Sequence, residues 1–458
     1  MTWSLAQVAR VCGVSWSGSD VHVTGFSTDS RIIKPGEVFV ALRGERFDGH
    51  DFIAQAASRG AVAAVVERPS HDLTCVIVSD ALLAYAHIAA HHLENLRSGM
   101  KVVGITGSSG KTSTKDLLTH VCSSVRNTVA SQGSQNNEIG LPATVLSANA
   151  ETEVLILEMG MRGIGHIEYL CSIAPPDVSV VLNVGSAHLG ELGSRDAIAQ
   201  AKSEIVSNSR VGAAAVLNAD DPRVSAMAAL AHGPVAWFGQ SDTADFRATN
   251  VELNADGTSR FTLHIPDDVP VEVSLQLLGA HQVGNACAVA ATAATLGLSS
   301  ADIVEGLRSA RHISRWRMER TVREDGLVVI NDAYNANPES MAAAITSLAA
   351  TAPQGRTVAV LGEMLELGEQ SQAEHEAIGR LTREAGIHEV IAVGRAGQWI
   401  AAGRGSEGTH VVGTVEDAIE LAQQMCHGTD VVLCKASRSI AMERVGAALL
   451  AAFGTVSP

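Results

Sequence analysis

The sequence predicts an α/β protein in three domains built on mainly parallel sheets. Three observations lead there. The 458 residues, 46% of them apolar, suffice for about three cores at roughly 100–200 residues per domain. Short apolar runs alternate with helical patterns, as strands and crossover helices do in a parallel sheet. The alternation restarts after residue 97 and again near residue 314, dividing the chain into 1–97, 98–313 and 314–458.

The first unit reads as a small α/β domain. Residues 38–42 and 63–66 suit strands, 52–59 suits a helix, and 82–96 has helical spacing up to Arg97-Ser98-Gly99. In the second unit the run 102–106 has a buried-strand pattern, repeated at 154–157, 178–182 and 214–217. Residues 245–275 alternate apolar and polar and contain Pro266 and Pro270, so antiparallel strands are expected there. A long helix follows over 281–296. The third unit places strands at 327–330, 357–361, 389–393 and 431–434, with helices between them. That is the pattern of a smaller doubly wound, Rossmann-like domain.

Composition excludes some functions. A net charge of −16 disfavours nucleic acid and anionic membrane surfaces as partners. No apolar run approaches the ~18–20 residues that span a bilayer. The first residues lack the basic-then-apolar pattern of a signal peptide. The expectation is a cytoplasmic chain without membrane insertion, monomeric by default. Seven cysteines contain no Cys-x-x-Cys pair, so neither a disulfide framework nor a zinc site is expected. Only six of the 33 basic residues are lysine: Lys34, Lys101, Lys111, Lys115, Lys202 and Lys435. Each lysine therefore invites a specific question.

The strongest local signal is the loop Gly107, Ser108, Ser109, Gly110, Lys111, Thr112 and Ser113, set between the 102–106 strand and a helical pattern. Glycines let consecutive backbone N–H groups face one phosphate chain, and a helix N-terminus adds positive potential. Lys111 would oppose the β- and γ-phosphates, and the Thr112 hydroxyl would serve Mg²⁺. Ile105 stands where the usual phosphate-loop pattern has its first glycine, so the loop is a variant. Two later strands run into groups suited to Mg²⁺: one into Glu158, the other into Asn183 with His188 shortly after. Taken alone, His188 reads rather as a helix-cap or core histidine. Lys202 by itself reads as a solvated lysine. A neutral lysine can instead add CO₂ and become a carbamate, an oxygen donor for metal.

Gly107 to Ser113, Glu158, His188 and Lys202 together resemble the ATP-dependent Mur ligases of peptidoglycan synthesis, whose superfamily includes folylpolyglutamate synthases. Further segments extend the resemblance over nearly the whole chain: Thr28-Asp29-Ser30-Arg31, Phe47-Asp48-Gly49-His50-Asp51-Phe52, Asn136-Asn137-Glu138-Ile139-Gly140-Leu141-Pro142, Asn331-Asp332-Ala333-Tyr334-Asn335-Ala336-Asn337-Pro338 and Lys435-Ala436-Ser437-Arg438. There are departures. Asn331 stands where an acidic residue is frequent, Ala436 replaces a common glycine, and Trp316-Arg317 replaces a Gly-Arg pair. None removes a charged group assigned to the chemistry.

The resemblance implies ATP-driven amide formation. The tripeptide carboxylate of UDP-MurNAc-tripeptide takes the γ-phosphoryl group, and the amine of D-alanyl-D-alanine attacks the resulting acyl phosphate. It implies two Mg²⁺ ions, one on Thr112 and Glu158, the other on His188 and a carbamoylated Lys202. Arg317, Asp332 and Asn335 would reach ATP from the third domain as it closes, with an open form before substrates bind. Asn137, Lys435 and Arg438 would contact substrate. The first domain would bind UDP through Ser30 and Arg31. Blander readings stay open: Arg31 pairs with Asp29 in a turn, Lys435 and Arg438 are a solvated loop pair, and Asn335 to Pro338 is an ordinary turn. Competing functions are folylpolyglutamate synthesis and an inactive nucleotide-binding homologue.

Overall fold

Runs of β-branched residues bounded by glycine and proline fold into three main sheets. The computed structural model describes residues 3–44, 47–187, 189–311, 314–352 and 355–451. A four-stranded parallel sheet comes first, in the order Gly25–Ser27, Glu37–Val40, Ala63–Val66, Cys75–Ile77. Successive residues point to opposite faces, and both faces are covered. Val38, Val40 and Val65 pack against Tyr85 and Ile88 of the helix Ala81–Leu96, while Phe39, Ala64 and Val66 pack against Ile33 and Ile53. Asp80 caps that helix by accepting from Leu83 N at 2.9 Å.

The central sheet has nine strands, in the order Val271–Leu278, Thr258–His264, Phe246–Leu253, Val235–Gly239, Ala214–Asn218, Val178–Val181, Lys101–Thr106, Val154–Glu158, Thr128–Ala130. The first three are mutually antiparallel, as their polar alternation predicts; the rest run parallel. Lys101–Thr106 lies between Val178–Val181 and Val154–Glu158. The loop that follows it therefore emerges between the carboxyl ends of both neighbours, where α/β sheets bind ligands. The helix His281–Thr295 is buried along most of its length and packs on the helix Lys111–Ser123. Its many alanines allow that close approach.

The third sheet has six strands, in the order Glu319–Val322, Val328–Asn331, Val431–Lys435, Thr357–Leu361, Glu389–Val393, Thr409–Val412. All are parallel except the first, which is antiparallel to Val328–Asn331. Val431–Lys435 is buried throughout and includes Lys435, one residue beyond the predicted end. Lys435 is thus no solvated loop residue; its 2% exposure places it inside the fold. The seven cysteines are free thiols, five of them buried. Among the described residues, no helix is long and apolar enough to cross a membrane.

Candidate active site

The central and third sheets face each other across a cleft of about 680 Å³, lined by the phosphate loop, Glu158 and Asn183 on one side and by Arg317, Asp332, Asn335 and Lys435 on the other. The loop's shape depends on Gly110. It adopts a left-handed conformation at φ 81° and starts the helix Lys111–Ser123. A Cβ there would stand 2.7 Å from Asn285 Oδ1, so both the backbone and the space demand glycine.

Asn183 holds the loop. Its Oδ1 accepts from Ser108 N and Ser109 N, each at 3.0 Å. The strand-end group that the sequence offered to Mg²⁺ is here a backbone clamp. Ser108 Oγ in turn accepts from Gly185 N at 2.8 Å. Lys111 Nζ donates to Gly107 O at 2.6 Å. Burial lowers the Lys111 pKa from the ordinary lysine value, with Glu158 opposing that shift and Arg317 adding to it.

Thr112 Oγ1 donates to Glu158 Oε2 at 2.7 Å, and Asn136 Nδ2 donates to Glu158 Oε1 at 2.7 Å. Glu158 is 1% exposed, so its carboxylate is fixed from both oxygens. Asn136 belongs to a segment that carries the resemblance, but the resemblance assigns a site role only to its neighbour Asn137. Asn137 lines the cleft while its Oδ1 accepts from Gly140 N at 2.9 Å, at the start of the helix Gly140–Ser147. Among the described residues no three His, Cys, Asp or Glu side chains form a metal cluster; His188 lies outside the described residues.

Lys202 is not solvated. It sits on the helix Arg195–Ser207 with 1% exposure. Among the described residues its Nζ meets only Met161 Sδ, 3.9 Å away. Burial, together with the nearby Lys111 charge, pushes its amine well below the ordinary lysine range.

On the opposite wall, Lys435 Nζ donates to Asp332 Oδ2 at 2.6 Å and to Asn335 O at 2.8 Å. Asp332 Oδ1 also accepts from Met318 N at 3.0 Å. The Arg317 guanidinium lies 4.1 Å over the Tyr334 ring, and the Tyr334 hydroxyl touches Ser134 of the central domain. Arg438 does not line the cleft. It stacks 4.2 Å from the Trp316 ring and bonds Glu443 Oε1 at 2.7 Å. Ser30 and Arg31 do not line it either. Ser30 Oγ donates to Gln55 Oε1 at 2.6 Å, and Arg31 grips Asp29 through two bonds of 2.9 and 2.7 Å. His281, Asn285, Asp220, Tyr334 and Glu339 also line the cleft and lay outside the predicted set. Contacts such as Gly190 N to Glu366 O at 3.0 Å cross between the two sheets' domains. In this arrangement the central and third domains touch across the cleft.

Three family models match the chain. The Mur ligase family, catalytic domain covers residues 22–97, the Mur ligase middle domain 105–293, and the Mur ligase, glutamate ligase domain 316–438. The UDP-N-acetylmuramoyl-tripeptide–D-alanyl-D-alanine ligase of Mycobacterium bovis is 41% identical, with 99% of each chain covered. The chain belongs to the Mur ligase family, in the branch of that ligase. Solved structures agree. MurF from Acinetobacter baumannii superposes on this Mur ligase with a TM-score of 0.89 at 33% identity, covering 98% of this chain and 99% of that one. MurF ligase from Thermotoga maritima, in complex with ADP, gives 0.83 at 32% identity, covering 93% and 97%.

Proposed function

We propose that this Mur ligase joins D-alanyl-D-alanine to UDP-MurNAc-tripeptide with ATP, giving UDP-MurNAc-pentapeptide for peptidoglycan. The observation that carries the reading is the convergence, in one cleft, of a strand-borne phosphate loop, the Thr112–Glu158 pair and the opposed groups Arg317 and Asp332. The tripeptide carboxylate attacks the γ-phosphorus, the bond to the β-phosphate oxygen breaks, and ADP leaves. The amine of D-alanyl-D-alanine then attacks the acyl carbon, loses a proton and expels phosphate. Activation is needed because a carboxylate oxygen is a poor leaving group at neutral pH.

The first step drives an anion against a triphosphate. Lys111 from the loop and Arg317 from the opposite wall oppose that charge. The backbone amide of Gly110 and the start of the helix Lys111–Ser123 suit the phosphates. Asp332 and Asn335 serve as polar contacts to the nucleotide. Lys435 is already paired with Asp332, which favours a role in holding Asp332 over a direct contact to a peptide carboxylate. Asn137 contacts substrate. Ser30 and Arg31 bind the UDP diphosphate; for this Arg31 must leave Asp29 or share it. Arg438 would need to leave the Trp316 ring to reach substrate.

Thr112 Oγ1 and the Glu158 carboxylate are hard oxygen donors that fit Mg²⁺. His188 and a carbamate on Lys202 would hold a second ion. Bound Mg²⁺ supplies neutralisation of phosphate charge. Burial favours the neutral form of the Lys202 amine, and that form suits addition to CO₂: nitrogen bonds the carbon, a proton leaves, and an anionic oxygen donor results. We further propose functional units at 1–97, 98–313 and 314–458, acting as a cytoplasmic monomer without nucleic-acid partners.

Phosphate release should be measured with UDP-MurNAc-tripeptides carrying diaminopimelate or lysine, with and without D-alanyl-D-alanine, and products identified by mass spectrometry. Pentapeptide should form, and Lys111→Ala and Glu158→Ala should abolish it. Release only with folate and glutamate, or nucleotide binding without turnover of any pair, would replace this reading.

A further inference from the structure

Glu339 is the second residue of the helix Pro338–Ala350, on the third domain's wall of the cleft. Its carboxylate crosses to the central domain. Oε1 accepts from Ser186 N at 2.8 Å, and Oε2 accepts from Ser186 Oγ at 2.8 Å. Gly185 leaves room for this approach: a Cβ there would stand 2.9 Å from the carboxylate carbon. Arg195 Nη2 lies 3.5 Å from Oε1 and is half exposed, so it adds little.

Both sides of this contact are anchored. Asn337 caps the helix in a reciprocal box with Ser340, and its Nδ2 reaches Ser108 O at 3.5 Å. On the central side, segment 183–186 grips the phosphate loop. Asn183 holds the amides of Ser108 and Ser109, and Gly185 N holds Ser108 Oγ. Glu339 therefore grasps the same short segment that shapes the nucleotide-binding loop. A carboxylate taking two donors makes charge-assisted bonds, strong enough to bias closure. Its side chain is 36% exposed, so water can replace those donors when the cleft opens.

We propose that Glu339 is a positioning residue: it latches the third domain to segment 183–186, so that the phosphate loop is set and water excluded only in the closed cleft. The inference rests on the ligase reading above. An open cleft lets water attack the acyl carbon of the intermediate; the carbon–oxygen bond to phosphate breaks, and carboxylate and phosphate leave without product. The latch thus protects coupling between ATP use and amide formation.

The test uses the full chain. For wild type, Glu339→Ala, Glu339→Gln and Ser186→Ala, kcat, the KM of each substrate and the phosphate released per pentapeptide are measured. Glu339→Ala should lower kcat about tenfold, the size expected for losing charge-assisted bonds, and raise the phosphate-to-pentapeptide ratio. Glu339→Gln keeps one acceptor and should fall between. Adding Ser186→Ala to Glu339→Ala should change nothing more, because both break one contact. A folded Glu339→Ala with wild-type kcat and ratio, or additive effects of the two substitutions, overturns the latch. Should Glu339→Ala fail to fold, Ser186→Ala alone decides: a raised ratio supports the latch and an unchanged ratio overturns it. If wild type makes no pentapeptide, the ligase reading fails instead. Small-angle scattering with ADP and Mg²⁺ then reads the latch independently: a larger radius of gyration for Glu339→Ala supports it, and an equal one overturns it.

Discussion

A buried lysine ammonium costs several kcal/mol, on the order of a buried ion, and burial together with the Lys111 charge lowers the Lys202 pKa well below the ordinary lysine value, which favours the neutral amine. Neutrality is also what addition to CO₂ requires. Lys202→Ala should therefore lose most activity, and formate should restore part of it by supplying the missing oxygens. Isotope-labelled CO₂ should give a carbamate resonance in wild type that the variant lacks. Full activity of the variant without rescue would sink the role. Gly110 makes a second test at this scale. Gly110→Ala places a side chain at φ 81° and 2.7 Å from Asn285 Oδ1; the left-handed backbone alone costs about 1 kcal/mol. ADP affinity by calorimetry should fall about tenfold or more, and unchanged affinity would show that Asn285 moves freely. Trp316 and Met318, at φ 59° and 56°, carry the same kind of strain on either side of Arg317. Arg438 stacks on the Trp316 ring beside them, which is why a residue read as substrate-binding is occupied elsewhere.

At the scale of elements, the helix His281–Thr295 is buried along most of its length and leaves little room for added volume. Ala290 is fully buried in the apolar cluster that this helix shares with the central sheet and the phosphate-loop helix. Ala290→Leu should cost about 1–3 kcal/mol by overpacking, read as a lower urea midpoint of the central domain; a wild-type midpoint would mean that an unfilled space lies beside it. The same burial explains what was legible in the sequence. Ala63–Val66, Thr357–Leu361 and Glu389–Val393 were anticipated at their ends because both faces are covered and the apolar run is continuous. Strands such as Thr128–Ala130, Glu319–Val322 and Thr409–Val412 were missed. They are short, lie at sheet edges and mix polar with apolar residues. In the cleft, Lys111 and Thr112 were legible because one loop carries them. The Lys435–Asp332 pair spans 103 positions and the Ser186–Glu339 contact 153. No local pattern encodes such a meeting; only the assembled sheets bring these residues together.

Over the whole molecule, the response to acid should reveal how the first and third units store stability. Each holds a buried histidine whose pKa folding lowers. His92, on the helix Ala81–Leu96, bonds Ala148 O through Nε2 at 2.8 Å, while its Nδ1 is buried without a partner among the described residues. His375, on the helix Ser371–Glu384, accepts from Met364 N at 2.8 Å and bonds Ser371 O at 2.6 Å, so both nitrogens are committed to the neutral ring. A second proton on His375 would set one N–H against another. Burial is the main cause that lowers both pKa values from the ordinary 6.5. Below that value the unfolded chain binds protons that the folded chain refuses, so stability is complete above about pH 6.5 and declines as pH falls until the lowered native values are reached. Net charge works in the opposite direction, because acid reduces the −16 charge and with it self-repulsion. A falling melting temperature between about pH 7 and pH 5 therefore points to the histidines. Scanning calorimetry across that range should show the decline in wild type and a shallower one in His375→Gln, whose amide cannot take up the proton. Equal slopes in the two proteins would assign the acid response to other groups.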